Sequence, residues 1–397
     1  MLLLKNKIQG YAWGSRTKIA DLLGQPSPAP VPQAEMWMGA HPSAPSSVMR
    51  RGTWQPLTAW IDDDPAEILG ERVVRAYGPG LPFLFKVLAV ETPLSLQAHP
   101  GPEQARAGFE KEQAAGIRLD ARNRNYKDRN HKPELLCAMT QFDALCGFRP
   151  ARDSLRLLRA LDVPDLGPYA GMIDREPGPA GLRAAFSALM TEAPKGLAAK
   201  TAEACGKLCG RDFEFDAEID WARRLAALYP GDIGIVCALL LNLVRLEPGQ
   251  AFYLPAGSLH AYLGGMGVEI MASSDNVLRG GLTPKHVDAA ELLKVLDFRD
   301  GEVPVLEGEQ RGPGERVFVT PATEFELSVL DLSGEKITFS SRQGPEILLC
   351  VAGNVAARSE QGEISLGRGQ SAFVTDSEGP YKIEGSGRVF RAAVRAA

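Results

Sequence analysis

The sequence predicts a mainly β protein with a helical insertion: two small jelly-roll β-barrels, and an α-helical domain set into the first. Three observations carry this. Residues 1–150 and 232–300 hold short apolar runs bounded by Pro and Gly, the pattern of strands and turns. Residues 151–231 switch to helical periodicity. Finally, LEPGQAFYL (Leu246–Leu254) is echoed by LGRGQSAFV (Leu366–Val374), with Leu, Gly and Gln in register. The echo makes 301–397 a second, C-terminal jelly-roll. At 397 residues the chain is too long for one ordinary core. The expected domains are 1–150 joined with 232–300, then 151–231, then 301–397.

Taken in order, MLLLKNKIQGYAWG opens on an apolar run far too short for a signal peptide or a membrane span. Gly24–Gln33 (GQPSPAPVPQ) cannot be helical and reads as an extended surface loop. Phe83–Val90 (FLFKVLAV) is strand-like, interrupted only by Lys86. One helix is expected over Pro102–Ala115, and Leu135–Met139 is a short strand. SLRLLRALD, GLRAAFSALM, GLAAKTAEACGKL and DAEIDWARRLAALY form the helical block, with Asp216 as N-cap of the last. Beyond 301, short strands alternate with Gly, Ser and Asp.

The formal net charge is −5, which gives no support to nucleic-acid binding and assigns any anionic substrate to a local basic pocket. Six cysteines form no CxxC pair, so neither a zinc ribbon nor a redox motif is expected. A cytoplasmic chain with reduced thiols, no membrane contact and no nucleic-acid partner fits these features. Its expected oligomeric state, a monomer, is not fixed by anything in the residues.

Only five histidines are present, His41, His99, His131, His260 and His286. Ser95-Leu96-Gln97-Ala98-His99 alternates as a half-buried strand does, so Ser95, Gln97 and His99 share a face. A Gln amide oxygen and a His nitrogen two residues apart can converge on one cation. Lys86 in its apolar run is costly unless paired or functional, and snorkelling from a strand edge is the plain alternative. In HKPELLCAM, Lys132 and Glu134 are two apart, so a carboxylate ligand lies beside a cation that can neutralise substrate charge. Residues 127–131 fit a solvated charged loop equally well. Downstream, P-x-G-x-x-H (Pro255, Gly257, His260) aims a histidine inward after a tight turn. Glu269 alternates with Val268 and Ile270, and a polar knot, SSDN, leads to Arg279 among glycines, as an anion site would require. Two His, one Glu and one Gln make an N/O donor set that suits Zn²⁺, Mn²⁺, Co²⁺ or Fe²⁺. No histidine follows His286, so only the first barrel can hold that metal.

Across nearly its whole length the chain resembles the type I phosphomannose isomerases of the cupin superfamily. The likeness rests on YAWG, EMWMGAHPS (Glu35–Ser43), LFKVL, PLSLQAHP, YKDRNHKPEL, FYLPAGSLHAYL and VEIMASSDNVLRGGLTPKHVD, in that order. The resemblance implies one zinc ion on Gln97, His99, Glu134 and His260, and a catalytic arginine at Arg279. Lys86, Ser95, Lys132 and Glu269 match positions that line the family's pocket, and Trp13 matches an aromatic at its rim. It implies reversible conversion of D-mannose 6-phosphate and D-fructose 6-phosphate through a cis-enediol. Glu269 is then a reasonable proton shuttle, with Lys132 and His131 as competitors, and His131 is placed with the substrate-binding residues. Two rival classes are weaker. An iron-dependent cupin oxygenase needs a facial triad with open positions, whereas Gln97 adds a fourth protein donor. A non-catalytic sugar-binding regulator has no use for a complete donor set.

Overall fold

Every residue of Phe83–Val90 is buried, Lys86 included, because strands flank it on both edges. On one edge lies Glu35–Met38, with Trp37 opposite Lys86. On the other lies His260–Ala272, with Glu269 opposite Lys86. The structure, a computed structural model, describes residues 1–50 and 52–395. His260–Ala272 organises the first lobe: its thirteen residues also pair with Glu134–Ala138, Phe142–Phe148 and Leu96–Ala98. One strand therefore pairs with the segments that carry Lys86, Gln97 and Glu134.

The second sheet is built on three long antiparallel strands, Glu326–Phe339, Glu346–Ser359 and Tyr381–Ala393. Both lobes have jelly-roll strand pairing, with ladders left open rather than closed into a ring. The repeat is present down to individual hydrogen bonds. In the first lobe the Gly249 N–H donates to the Ala138 carbonyl at 2.8 Å, and the Glu247 N–H to Gln250 Oε1 at 2.8 Å. In the second, the Gly369 N–H donates to the Cys350 carbonyl at 2.8 Å, and the Gly367 N–H to Gln370 Oε1 at 2.7 Å. Gly249 and Gly369 sit at φ +92° and +83°, which explains the shared glycine, and the side-chain bond explains the shared glutamine.

Two features depart from expectation. Leu2–Lys5 pairs with Ser371–Val374 and with Ser47–Arg50, which continues to Thr53–Pro56; these N-terminal strands extend the second sheet, not the first. They cover an edge that would otherwise present unpaired backbone groups, and short strands carry no sequence signal of which edge they will join. Asp216 is the first residue of its helix, following Phe215, and is not the N-cap. Its Oδ1 accepts from the Gly210 N–H at 2.8 Å, closing the preceding loop.

The helix Pro102–Ala114 forms as its composition suggests, with Pro at the first turn. The helices between Ala151 and Leu228 bury Leu157, Ile173, Phe186 and Ile219 in one cluster with Leu96, Leu259 and Leu278. Those last three immediately precede Gln97, His260 and Arg279, so the helical block backs the strand ends that carry the site. Among the described residues no helix is long and apolar enough to cross a membrane.

Candidate metal centre and active site

His99, Glu134 and His260 meet in the first lobe, with donor atoms all within 4.8 Å of one another. His99 Nε2 lies 3.4 Å from Glu134 Oε1, and His260 Nε2 lies 3.4 Å from Glu134 Oε2. Each imidazole is turned by a backbone carbonyl: His99 Nδ1 is 2.6 Å from the Asn276 oxygen, and His260 Nδ1 is 3.0 Å from the Ser258 oxygen. With Nδ1–H committed to donation, each Nε2 presents a lone pair inward, the arrangement metal-bound histidines use. His99 Nε2 and Glu134 Oε2 are buried and make no hydrogen bond among the described residues, a cost that a cation between them would remove. Gln97 stands opposite His260 in the ladder, its amide nitrogen 3.3 Å from His260 Nε2. Turning that amide over presents its oxygen instead. Four N/O donors around one point fit a zinc-type cation.

Local structure explains the convergence. The turn before His260 carries Gly257 at φ +81°, whose N–H donates to the His99 carbonyl at 2.8 Å. The two histidine segments are thus tied directly. The polar knot proves to be a clamp: the Asn276 side chain is fully buried and accepts from the Lys127 N–H at 2.6 Å. It donates to the carbonyls of Asp128 and Asn130, both at 2.9 Å. Residues 127–131 are therefore anchored to the segment that orients His99, rather than loosely solvated.

Electrostatics separate the buried groups. Burial, aided by Lys132 and opposed by Glu134, pulls the His99 imidazole down to about 4, so it is neutral and able to ligate at pH 7. Burial works against ionised Glu134, but Lys132, 3.0 Å away, and His99 outweigh it and hold the carboxyl well below its usual range. Burial would neutralise Lys86, but Glu269 and Glu35 override it and push its pKa above the ordinary lysine value. Glu269 moves the other way: burial raises it, Lys86 at 2.6 Å only partly offsets this, and Glu134 adds to the rise. The Tyr262 hydroxyl donates to Glu269 Oε1 at 2.6 Å, and burial, then Glu269, lifts that phenol far up.

A cavity of about 670 Å³ opens over this centre and is lined by Trp13, Lys86, Ser95, Gln97, Lys132, Glu134, Glu269 and Arg279. Arg279 is half-buried with no carboxylate partner among the described residues, and burial alone lowers its pKa. Lys285 lines the same wall, lowered by burial and then by Arg279. His131 departs from its expected place. It lines a separate cleft and contacts Glu324 at 2.5 Å. Successive residues of an extended segment point to opposite sides, so facing Lys132 toward Glu134 turns His131 away. Sequence reasoning missed Glu35, Tyr262, Tyr229 and Lys285 on the cavity wall. Strand alternation after His260 would have found Tyr262, and Lys285 lies in the quoted TPK run; Glu35 and Tyr229 carry no comparable signal.

Residues 1–151 match the family described as phosphomannose isomerase type I, catalytic domain, and residues 314–394 match the mannose-6-phosphate isomerase cupin domain. A mannose-6-phosphate isomerase from Escherichia coli (strain K12) is 39% identical over 393 residues, covering 98% of this chain and 99% of that protein. A crystal structure of the K86A mutant of phosphomannose isomerase from Salmonella typhimurium superposes with a TM-score of 0.92 at 36% identity, covering all of both chains. A crystal structure of zinc-bound mannose 6-phosphate isomerase gives 0.90 at 36% identity, covering 100% of this chain and 99% of that one. Matches of this extent, on a chain whose donor set and cavity are those just described, place it in one family: this protein belongs to the type I phosphomannose isomerases.

Proposed function

We propose that this chain is a zinc-dependent mannose-6-phosphate isomerase, interconverting D-mannose 6-phosphate and D-fructose 6-phosphate through a cis-enediol. The observation that carries the proposal is the meeting of four N/O donors, a buried carboxylate of raised pKa and two unpaired cations in one cavity. Gln97, His99, Glu134 and His260 would hold the metal. Zinc, when bound, supplies a Lewis acid for the substrate oxygens between which the carbonyl moves.

The chain's own groups do the rest. Glu269 takes the proton from C2 of the aldose and returns it to C1, and its raised pKa suits both halves of that exchange. Tyr262 and Lys86 fix the carboxylate on its two oxygens. Lys132 stabilises the negative charge that develops on oxygen as the enediol forms. Arg279, with Lys285 beside it, receives the phosphate end, where an unpaired guanidinium is suited to an anionic oxygen fork. Ser95 and Trp13 line the space between. His131 has no part in this reading.

The catalytic lobe comprises 1–150 and 232–300, less the strands lent to the second sheet; 151–231 buttresses it, and 301–397 lacks a metal-binding set. The enzyme acts as a cytoplasmic monomer on a small sugar phosphate. A coupled assay that reports NADPH from mannose 6-phosphate, with and without chelator, tests the function. Absence of chelator-sensitive turnover would overturn it.

A further inference from the structure

The second lobe repeats the pocket of the first with its charges rearranged. Ladder register gives the correspondence. Glu134 stands opposite Leu254 and Glu346 opposite Val374, at equal distances from the shared Pro/Gly-Gln turns. Glu269 is opposite Leu136, and Arg391 is opposite Leu348, the matching position. The carboxylate is retained and the metal set is gone. In its stead Arg391 Nη2 and Nε lie 2.6 and 3.0 Å from the two Glu346 oxygens, Arg342 Nε lies 3.1 Å away, and the Tyr381 hydroxyl donates as well. Where the first lobe has a carboxylate facing its cavity, the second has a guanidinium.

That guanidinium faces a cavity of about 310 Å³, which also receives Arg311, Arg342 and Arg395 over a floor of Phe318 and Phe325. The volume is at the small end of ligand pockets, about 300–1,000 Å³. Arg391 is more than nine-tenths buried, yet among the described residues its Nη1 approaches no carboxylate closer than Glu315 at 3.7 Å and Glu326 at 3.8 Å, both beyond hydrogen-bond reach. Arg395 uses Nη1 on the carbonyls of Thr320 and Ala322, and its other edge has no partner among the described residues. Among the described residues Glu326 is the one carboxylate on the wall, and both of its oxygens are held by Arg311 at 2.6 and 2.7 Å. Four guanidiniums, those of Arg311, Arg342, Arg391 and Arg395, thus converge on the cavity.

We propose that this second-lobe cavity binds a small phosphate-bearing anion between Arg391 and Arg395, at a site separate from the catalytic cavity. Forked guanidinium donors match a phosphate group, and the apolar floor accommodates the body of a small ester. The geometry calls for inorganic phosphate or a compact phosphomonoester rather than a nucleotide, which the cavity is too small to enclose.

Equilibrium dialysis of the zinc-loaded protein with labelled inorganic phosphate at low ionic strength tests this. Two phosphates per chain are expected. Arg395→Gln should weaken one of them at least tenfold while leaving turnover at saturating substrate unchanged. Arg279→Ala should remove the other. Arg391→Met should also lose the second-lobe phosphate; because it strands Glu346, the rim variant Arg395→Gln carries the decision if that protein does not fold. One phosphate per wild-type chain, or two that Arg395→Gln leaves untouched, would overturn the proposal.

Discussion

Replacing Asn276 with Ala should loosen the metal centre without touching a ligand. The side chain makes three bonds of good length, from the Lys127 N–H at 2.6 Å and to the Asp128 and Asn130 carbonyls at 2.9 Å each. At about 1 kcal/mol net apiece, their loss costs about 3 kcal/mol. At about 2–4 °C per kcal/mol, the thermal midpoint should fall by at least about 5 °C. The residue's backbone oxygen survives the substitution, but nothing then fixes it against His99 Nδ1, 2.6 Å away. Losing such support for a ligating histidine weakens metal binding about 10- to 100-fold, and the lower end is expected because the carbonyl remains. The assay is zinc retention against graded chelator, run beside a thermal melt. Ser274→Ala is the milder comparison: its hydroxyl bonds to Asp128 Oδ1 at 2.9 Å and the Asn130 carbonyl at 3.2 Å and accepts from the Asn276 N–H at 3.2 Å, so it should cost about 1 kcal/mol and weaken zinc less than Asn276→Ala does. An Asn276→Ala protein that melts like wild type and holds zinc as firmly would refute the reasoning.

Three other outcomes are expected. His260→Ala should lose both zinc and turnover; stoichiometric zinc in that variant would remove His260 from the donor set. Arg279→Ala should keep zinc but lower kcat/KM for mannose 6-phosphate by about 10²-fold, chiefly through KM, because the phosphate loses its guanidinium partner; unchanged kcat/KM would take Arg279 out of the phosphate site. In the second lobe, burial opposes ionised Glu346, but Arg391 and Arg342 hold its pKa below the ordinary 4.5. Its contribution is therefore fully present above pH 4.5 and is lost as pH falls through the lower folded value. Thermal melts of Glu346→Gln and wild type should differ at pH 7, and the gap should narrow as pH falls below 4.5; a gap that stays constant would contradict this.

Much of the centre was legible because alternation along a strand is strict. It set Gln97 beside His99, which meet at the metal centre, and Lys132 beside Glu134, which line the cavity above it. The same rule, carried one residue further, would have turned His131 outward. The turn echo at Gly249 and Gly369 was readable because a left-handed backbone and a side-chain bond each demand one residue type. What stayed hidden depended on pairings remote in sequence. Nothing local marks Glu35 as a neighbour of Lys86, 3.8 Å away, or Tyr229 as a cavity residue. Nor does Leu2–Lys5 declare that its partner is Ser371–Val374. Order within a strand is written locally, whereas order among strands is set by what the rest of the chain leaves uncovered.

That last pairing has a consequence in time. Asn6 adjoins the first strand and bonds to Ser371, 365 residues later. At about 5–20 residues per second on a ribosome, the strand waits roughly 20–70 s for its partner to exist. During that interval its backbone edge is open to other chains, and Lys5 and Lys7 at its end are the charges that discourage such pairing. The catalytic lobe can complete its own ladders from residues up to Gly281 before the last lobe emerges. Maturation of the enzyme thus finishes where it began, when the first strand of the chain is taken up by the last sheet.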